Sequence, residues 1–186
     1  CDRTISTPRG QVFISPLINC LVIACGTSGN DQNGLPPFAI NQLTTAALRT
    51  IGEVSTKYAR DSADLTARQN VQLHWVRIED VPDIWTAVEG VGLSTAEACG
   101  DVPRVILGSP LAGVGADEII DGTPAVKEIL HRFIGSEEFS NLPRKFKTAI
   151  SGSPRQDVAH EIHDIAFGGV VHPEHGPGFS LWVGGG

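Results

Sequence analysis

Three cations lie within one four-residue segment, Arg144-Lys145-Phe146-Lys147. A strand over residues 145–150 would turn its side chains to alternate faces, so Lys145 and Lys147 would share one face. Arg144 and Phe146 would share the other. Two ammonium groups about 7 Å apart on one face are suited to binding an anion. A solvated strand edge, where lysines discourage pairing with another chain, is the alternative interpretation.

The rest of the chain is acidic, so any basic site must be local. Its 186 residues have a formal net charge of -7, with 41% hydrophobic and 19% charged residues, a composition typical of one or two globular domains. The negative charge argues against non-specific binding to nucleic acid or to an anionic membrane. No apolar run reaches the roughly 18 residues that a transmembrane helix needs.

Neither the cysteines nor the histidines form a recognisable metal site. No cysteine pair has the Cys-x-x-Cys spacing, and the four are Cys1, Cys20, Cys25 and Cys99. Four histidines lack an acidic or cysteine partner at ligand spacing and receive no role here, namely His160, His163, His172 and His175. The sequence therefore predicts no complete metal site and no disulfide framework.

The clearest predicted strand carries a row of polar side chains. Residues 68–76 alternate in polarity, and one face would carry Arg68, Asn70, Gln72 and His74. The opposite face would bury Val71, Leu73 and Trp75. The polar row is then available to a polar ligand or to water.

The other elements alternate between helices and strands. Thr44 or Thr45 is suited to cap a helix that runs to about Tyr58, and further helices are predicted over 82–90, 124–134 and 157–162. The first helix would bury Leu48, Ile51, Val54 and Tyr58. Strands are predicted over 105–107, 165–171 and 179–183, with 21–24 as a candidate, and residues 26–37 are rich in turn formers. The order favours an α/β or α+β sandwich with helices on one face of a sheet.

Four segments each contain either cationic side chains or glycines that leave the backbone accessible: residues 66–70, 99–104, 142–148 and the terminal glycines. With strings such as Asn70-Val71-Gln72-Leu73-His74-Trp75 and the run over 172–178, this ordered set resembles a known family. The likeness, over about residues 40–186, is to the N-terminal half of the siroheme-dependent nitrite and sulfite reductases, in particular the actinobacterial ferredoxin-dependent sulfite reductases.

The resemblance implies an α+β fold in three parts. Residues 1–37 are a divergent N-terminal segment and loop. Residues 38–97 are a ferredoxin-like half-domain with helices on one face of an antiparallel sheet. Residues 98–186 are the first part of a siroheme-binding α+β domain, truncated at its C-terminal end. A cytoplasmic location is implied as well.

The resemblance also assigns roles to the cations. Siroheme carries several carboxylates and sulfite is an anion, so a buried site must supply positive charge. The implied catalytic residues, around the open axial face of the siroheme iron, are Arg68, Arg104, Lys145 and Lys147. The implied cofactor contacts are these four together with Asn70, Gln72, His74, Arg144, Gly184, Gly185 and Gly186. Glycines there allow the backbone to approach the macrocycle closely.

The implied reaction is the six-electron reduction of sulfite to sulfide, with reduced ferredoxin as electron donor. Lys147 favours sulfite over nitrite, because nitrite reductases of the family tend to carry asparagine there; they often carry asparagine at His163 too. The family holds a [4Fe-4S] cluster through a Cys-x5-Cys and a Cys-x3-Cys pair that this sequence lacks. We therefore expect the chain to need a C-terminal half and to be inactive alone. The alternatives are part of a ferredoxin-nitrite reductase and a non-catalytic truncated α+β remnant.

Overall fold

The computed structural model describes residues 4–7, 10–13, 21–24, 43–95 and 100–184. The strands are β1 (Thr4–Thr7), β2 (Gly10–Phe13), β3 (Leu21–Ala24), β4 (Asp64–Leu65), β5 (Asn70–Leu73), β6 (Leu107–Gly108), β7 (Thr148–Ser151), β8 (Ile165–His172) and β9 (Gly176–Val183). The α-helices are α1 (Thr45–Tyr58), α2 (Val81–Glu89) and α3 (Thr123–Phe133). Short 3₁₀ helices span Ile78–Asp80, Glu137–Phe139 and His160–Ile162. The predicted loop over 26–37 lies outside the described residues.

Helix α1 begins where the sequence predicts, because Thr44 caps it. The Thr44 hydroxyl accepts a hydrogen bond from the backbone N–H of Ala47 at 3.0 Å, which satisfies one of the free donors of the first turn. Ile51 and Val54 are buried as predicted, but Leu48 is 61% exposed, so its predicted burial is wrong. Ala47, one residue earlier, takes the buried position instead. No helix in the described ranges is long and apolar enough to cross a membrane.

The first sheet is antiparallel and has the order β3-β5-β4. The candidate strand over 21–24 is confirmed, because it pairs with β5 along its whole length. Helices α1 and α2 pack on this sheet around one apolar core, in which Leu73, Ile84 and Val88 are fully buried. The helices on one face of an antiparallel sheet agree with the predicted half-domain.

The strand predicted over 68–76 is shorter than expected. Arg68 lies in a turn, and Gln69 and Trp75, just outside the two ends of β5, have positive φ angles of 57° and 67°. Trp75 is consequently 53% exposed, not buried, and the Arg60 guanidinium lies over its ring. Asn70, predicted on the polar face with Arg68, is 4% exposed. The polar residues therefore do not form a single face, whereas Val71 and Leu73 are buried as predicted.

The second sheet has the order β6-β7-β8-β9. The first two pairings are parallel and the hairpin between β8 and β9 is antiparallel. Helix α3 covers one face, where Val126 packs with Ile106 and Ile150. The strand predicted over 145–150 begins only at Thr148, although Phe146 already forms an isolated parallel bridge with Pro103.

Two glycines permit a close crossing of backbones at the end of β7. A Cβ on Gly152 would lie 1.8 Å from the carbonyl oxygen of Ile120, and a Cβ on Gly169 would lie 2.0 Å from that of Gly152. The Gly152 carbonyl accepts a hydrogen bond from the N–H of Ile119 at 2.8 Å. Side chains at these two positions would push the strands and the preceding loop apart.

Candidate functional site

The turn before β5 carries Arg68 onto the second sheet. The Thr66 hydroxyl accepts a hydrogen bond from the Asn70 N–H at 3.1 Å, and the Gln69 side chain donates to the Gly108 carbonyl at 3.0 Å. The Arg68 guanidinium donates to the carbonyl of Val105 and, through Nη1, meets Nε2 of His163 at 3.1 Å. One turn of the first sheet is thus joined to two segments of the second.

Arg68 is held beside a second cation. Burial first, and then the positive charge of Arg104, lower the pKa of Arg68 to about 10, whereas the Asp164 carboxylate raises it. The guanidinium still carries its charge at neutral pH. An anion close to Arg68 would stabilise the charged form of a guanidinium whose pKa a neighbouring positive charge lowers.

Backbone pairing brings Arg104 to the basic segment. The Arg104 N–H donates to the Phe146 carbonyl at 2.9 Å, and the Phe146 N–H donates to the Val102 carbonyl at 3.1 Å. These bonds set residues 102–104 alongside 146 in a fixed parallel register. The structure therefore brings together Arg104 and the segment that contains Lys145 and Lys147.

One short segment holds both the backbone N–H and the side-chain ammonium of Lys147. Its backbone N–H donates to Oδ2 of Asp164 at 2.7 Å, and its Nζ donates to the Ile162 carbonyl at 3.1 Å. His163, between these two residues, contacts Arg68. Residues 162–164, which we call the anchor segment, thus contact two of the four predicted catalytic cations.

The remaining predicted site residues lie nearer the surface or on β5. Arg144 and Lys145 are exposed, beside the anchored Lys147. His74 pairs with Asp64 on the neighbouring strand, with 2.8 Å between Nε2 and Oδ2, and Gln72 is half-buried on the central strand. The Asn70 side-chain oxygen is buried and has no hydrogen-bond partner among the described residues.

The glycine end of the chain also reaches the anchor segment. The Gly184 N–H donates to the Asp164 carbonyl at 3.2 Å, and the φ angle of Gly184 is 132°, in a region that favours glycine. Gly185 and Gly186 lie outside the described residues, as do the four cysteines. Four predicted residues therefore surround the anchor segment or its partners: Arg68, Arg104, Lys147 and Gly184.

Sequence reasoning missed His163 and Asp164 as members of this site. His163 received no role because no metal partner accompanied it, and Asp164 was not singled out. Both are polar residues directly before the apolar strand β8, where side chains gather at a sheet edge. Their partners Arg68 and Lys147 lie 95 and 17 residues earlier, so only the fold reveals the contacts.

A second polar cluster lies at a cavity of about 20 Å³, enough for one water molecule. Asp117 accepts from Ser153 at 3.0 Å and pairs with Arg155 at 2.6 Å. Ser109 donates to Oδ2 of Asp157, whose Oδ1 is buried and has no partner among the described residues. The cavity is too small for an organic cofactor.

The described ranges contain no group of three or more residues that could hold a metal ion. The sequence has neither of the cysteine pairs that a family [4Fe-4S] cluster requires, so its residues do not fit that cluster. The donor set of arginines and lysines does fit a polycarboxylate such as siroheme, since it supplies charge-assisted donors.

Two protein families match consecutive parts of the chain. Residues 42–91 match the family described as "Nitrite/Sulfite reductase ferredoxin-like half domain". Residues 99–186 match "Nitrite and sulphite reductase 4Fe-4S domain". Together the two matches include most of the chain.

Curated relatives include a "Sulfite reductase [ferredoxin]" of Mycobacterium tuberculosis, 63% identical over 144 residues, which are 77% of this chain and 26% of that protein. A "Ferredoxin--nitrite reductase" of Leptolyngbya laminosa is 41% identical over 148 residues, with 77% of this chain and 29% of that protein covered. The chain therefore spans about a quarter of the length of these relatives.

A solved structure, that of the Mycobacterium tuberculosis NirA protein, superposes with a TM-score of 0.78 at 55% identity, covering 90% of this chain and 28% of that one. A dissimilatory sulfite reductase I superposes with a TM-score of 0.62 at 14% identity and covers 82% of this chain and 33% of its own, which shows a shared fold. The chain belongs to the nitrite and sulfite reductase family.

Proposed function

We propose that this chain is the part of a ferredoxin-dependent sulfite reductase that binds siroheme and the substrate anion. The observation that carries the proposal is the convergence of Arg68 and Lys147 on the anchor segment, with Arg104 beside Arg68. Because three separate segments bring positive charges together, a binding site for an anion is favoured over a solvated strand edge. The 63% identity to a protein named sulfite reductase supports the substrate class.

Each cation then has a distinct task. Arg68 and Arg104 hold substrate oxygens, because a guanidinium offers paired donors that match an oxyanion. Lys145 and Lys147 stabilise the anion and donate protons to its oxygens as they leave as water. Arg144 pairs with a siroheme carboxylate, and residues 184–186 let backbone approach the macrocycle. Siroheme, when bound, supplies the redox-active iron that this chain's residues cannot provide.

Sulfite is the favoured substrate, with nitrite as the alternative. Lys147 adds a positive charge that suits the more highly charged sulfite. Identity is higher to the sulfite reductase, at 63%, than to the nitrite reductase, at 41%. We infer that reduced ferredoxin is the electron donor, as the relatives' names indicate, and that the protein is cytoplasmic, on family resemblance alone.

The division into residues 1–37, 38–97 and 98–186 is part of the proposal. It is supported by the two family matches, which leave a gap between 91 and 99, and by the separate apolar cores of the two sheets. The first part would be a divergent N-terminal segment. The last part would bind siroheme, and the cluster cysteines are not in its sequence.

The test is a titration of the purified chain with siroheme, followed by sulfite, monitored by visible absorption. We expect a siroheme band that sulfite perturbs, and Arg104→Gln should weaken the sulfite effect by about tenfold or more. Arg132→Gln is the matched control, because Arg132 is exposed on α3 and pairs only with Glu128 among its described contacts. A chain that takes up no siroheme and does not respond to sulfite would favour the non-catalytic remnant.

Sulfite reduction is not expected from the chain alone, because the cluster cysteines are not in its sequence. Reduction of sulfite to sulfide by this chain with siroheme and reduced ferredoxin would contradict that expectation. A coding sequence that continues past residue 186 with Cys-x5-Cys and Cys-x3-Cys pairs would support the enzyme over the remnant.

A further inference from the structure

His163 is a buried histidine whose two ring nitrogens face opposite partners. It is 5% exposed. Its Nδ1 lies 3.0 Å from the Ala159 carbonyl, and its Nε2 lies 3.1 Å from Nη1 of Arg68. These distances join heavy atoms, so the chemistry of each partner decides which ring nitrogen carries a hydrogen.

Those partners permit one protonation state. A backbone carbonyl can only accept, so Nδ1 carries the hydrogen. A guanidinium can only donate, so Nε2 must offer a lone pair to Arg68. The ring is therefore the neutral Nδ1–H tautomer. A second proton would set an N–H of His163 against an N–H of Arg68.

The surrounding charges favour the same state. Burial lowers the pKa of His163, and the positive charges of Arg68 and Lys147 lower it further, together with His160. The hydrogen bond to Ala159 opposes this shift. Asp164 and Arg104 act on the neighbouring Arg68, the first raising and the second lowering the pKa of that guanidinium.

We propose that His163 is a positioning residue for Arg68, which it holds in the anion site through a hydrogen bond accepted by its neutral imidazole. The Val105 carbonyl holds the guanidinium from another segment. Two of its five N–H donors are then used, and the others remain for an oxyanion. Because Ile162 and Asp164 hold Lys147, the anchor segment also sets the separation between Arg68 and Lys147.

The first test does not depend on siroheme or sulfite. Imidazole ¹⁵N spectra of the 186-residue chain should show His163 as the Nδ1–H tautomer at neutral pH. The Nη1–H of Arg68 should give a slowly exchanging resonance that His163→Leu abolishes, whereas the Nη2–H that donates to Val105 should stay protected. His163→Asn, whose side-chain oxygen can accept the same hydrogen bond, should retain it. An Nε2–H tautomer, or an Arg68 Nη1–H resonance unchanged by His163→Leu, would overturn the proposal.

The second test rests on the proposed function. In the siroheme-loaded chain, His163→Leu should weaken sulfite binding about tenfold, and His163→Asn should restore most of it. His175→Leu, at an exposed histidine, is the control. Equal sulfite affinity of wild type and His163→Leu would refute the positioning role. If the wild type bound no sulfite, the proposed function would fail, and the imidazole and guanidinium spectra would still decide whether His163 holds Arg68.

Discussion

The backbone N–H of Lys147 donates to the carboxylate of Asp164, with 2.7 Å between N and Oδ2. Asp164 also accepts, through its backbone carbonyl, a hydrogen bond from the N–H of Gly184. Asp164 therefore connects the basic segment to the glycine end of the chain. Its position between β7 and β9 is fixed by the start of β8, which pairs with both.

Replacement of Asp164 should loosen this connection. Asp164→Ala leaves the Lys147 N–H without its acceptor, and we expect the free energy of unfolding to fall by about 1–3 kcal/mol. Asp164→Asn should cost less, because the amide oxygen still accepts. Urea unfolding measures both, with Glu138→Ala, at an exposed position, as control. Equal losses for Asp164→Ala and Glu138→Ala would argue against the role of this contact.

Lys147→Asn should change the preference between anions. The loss of one positive charge at the anchor segment should weaken sulfite binding about tenfold, and binding of the singly charged nitrite should weaken less. The measurement is the absorption titration of the siroheme-loaded chain with each anion. Lys57→Asn removes an exposed lysine from α1 and should leave both affinities unchanged. A parallel loss for both anions would show that Lys147 does not discriminate between them.

Acidification should destabilise the chain in part through His163. Burial and nearby charge lower the pKa of His163 in the folded chain below its ordinary value of 6.5. The unfolded chain therefore binds the proton first, and stability present above pH 6.5 is lost as the pH falls through the folded pKa. Urea unfolding at pH 7.5 and at pH 5 should show a larger loss for wild type than for His163→Asn. Identical pH dependence of the two chains would contradict this.

Gly152→Ala should destabilise the second sheet. The added Cβ would lie 1.8 Å from a backbone oxygen, which cannot move without displacing the loop before α3, and we expect a loss of about 3 kcal/mol. Gly52→Ala is the matched control: Gly52 is exposed in α1 with nothing within 4 Å of its Cβ position. That change should stabilise the chain by about 0.5–1 kcal/mol. Thermal unfolding of both variants distinguishes a backbone clash from a general effect of alanine.

Local patterns predict most of the regular elements. The Thr44 cap and the apolar spacing of α1 are short-range features, and the helix begins and ends where they indicate. The alternation over 68–76 fails for a physical reason: left-handed conformations at Gln69 and Trp75 interrupt the period-two geometry, and alternation of residue types does not reveal them. The exposure of Leu48 likewise depends on which part of the helix faces the sheet.

The cations of the candidate site could be selected from the sequence, but the residues that hold them could not. Arg68, Arg104 and the lysines could be selected because charge in an acidic chain is conspicuous and their order resembles a family. His163 could not, because its role is to accept a hydrogen bond from a residue distant in sequence. Such contacts leave no periodicity or spacing to detect.

Arg68 and Gln69 extend from the first sheet to carbonyls of the second, at Val105 and Gly108. The turn that carries Arg68 therefore also joins the two cores through these hydrogen bonds. A hinge motion between them that broke these hydrogen bonds would change the distance from Arg68 to Lys147. An anion bound between Arg68 and Lys147 would therefore also oppose movement of one core relative to the other.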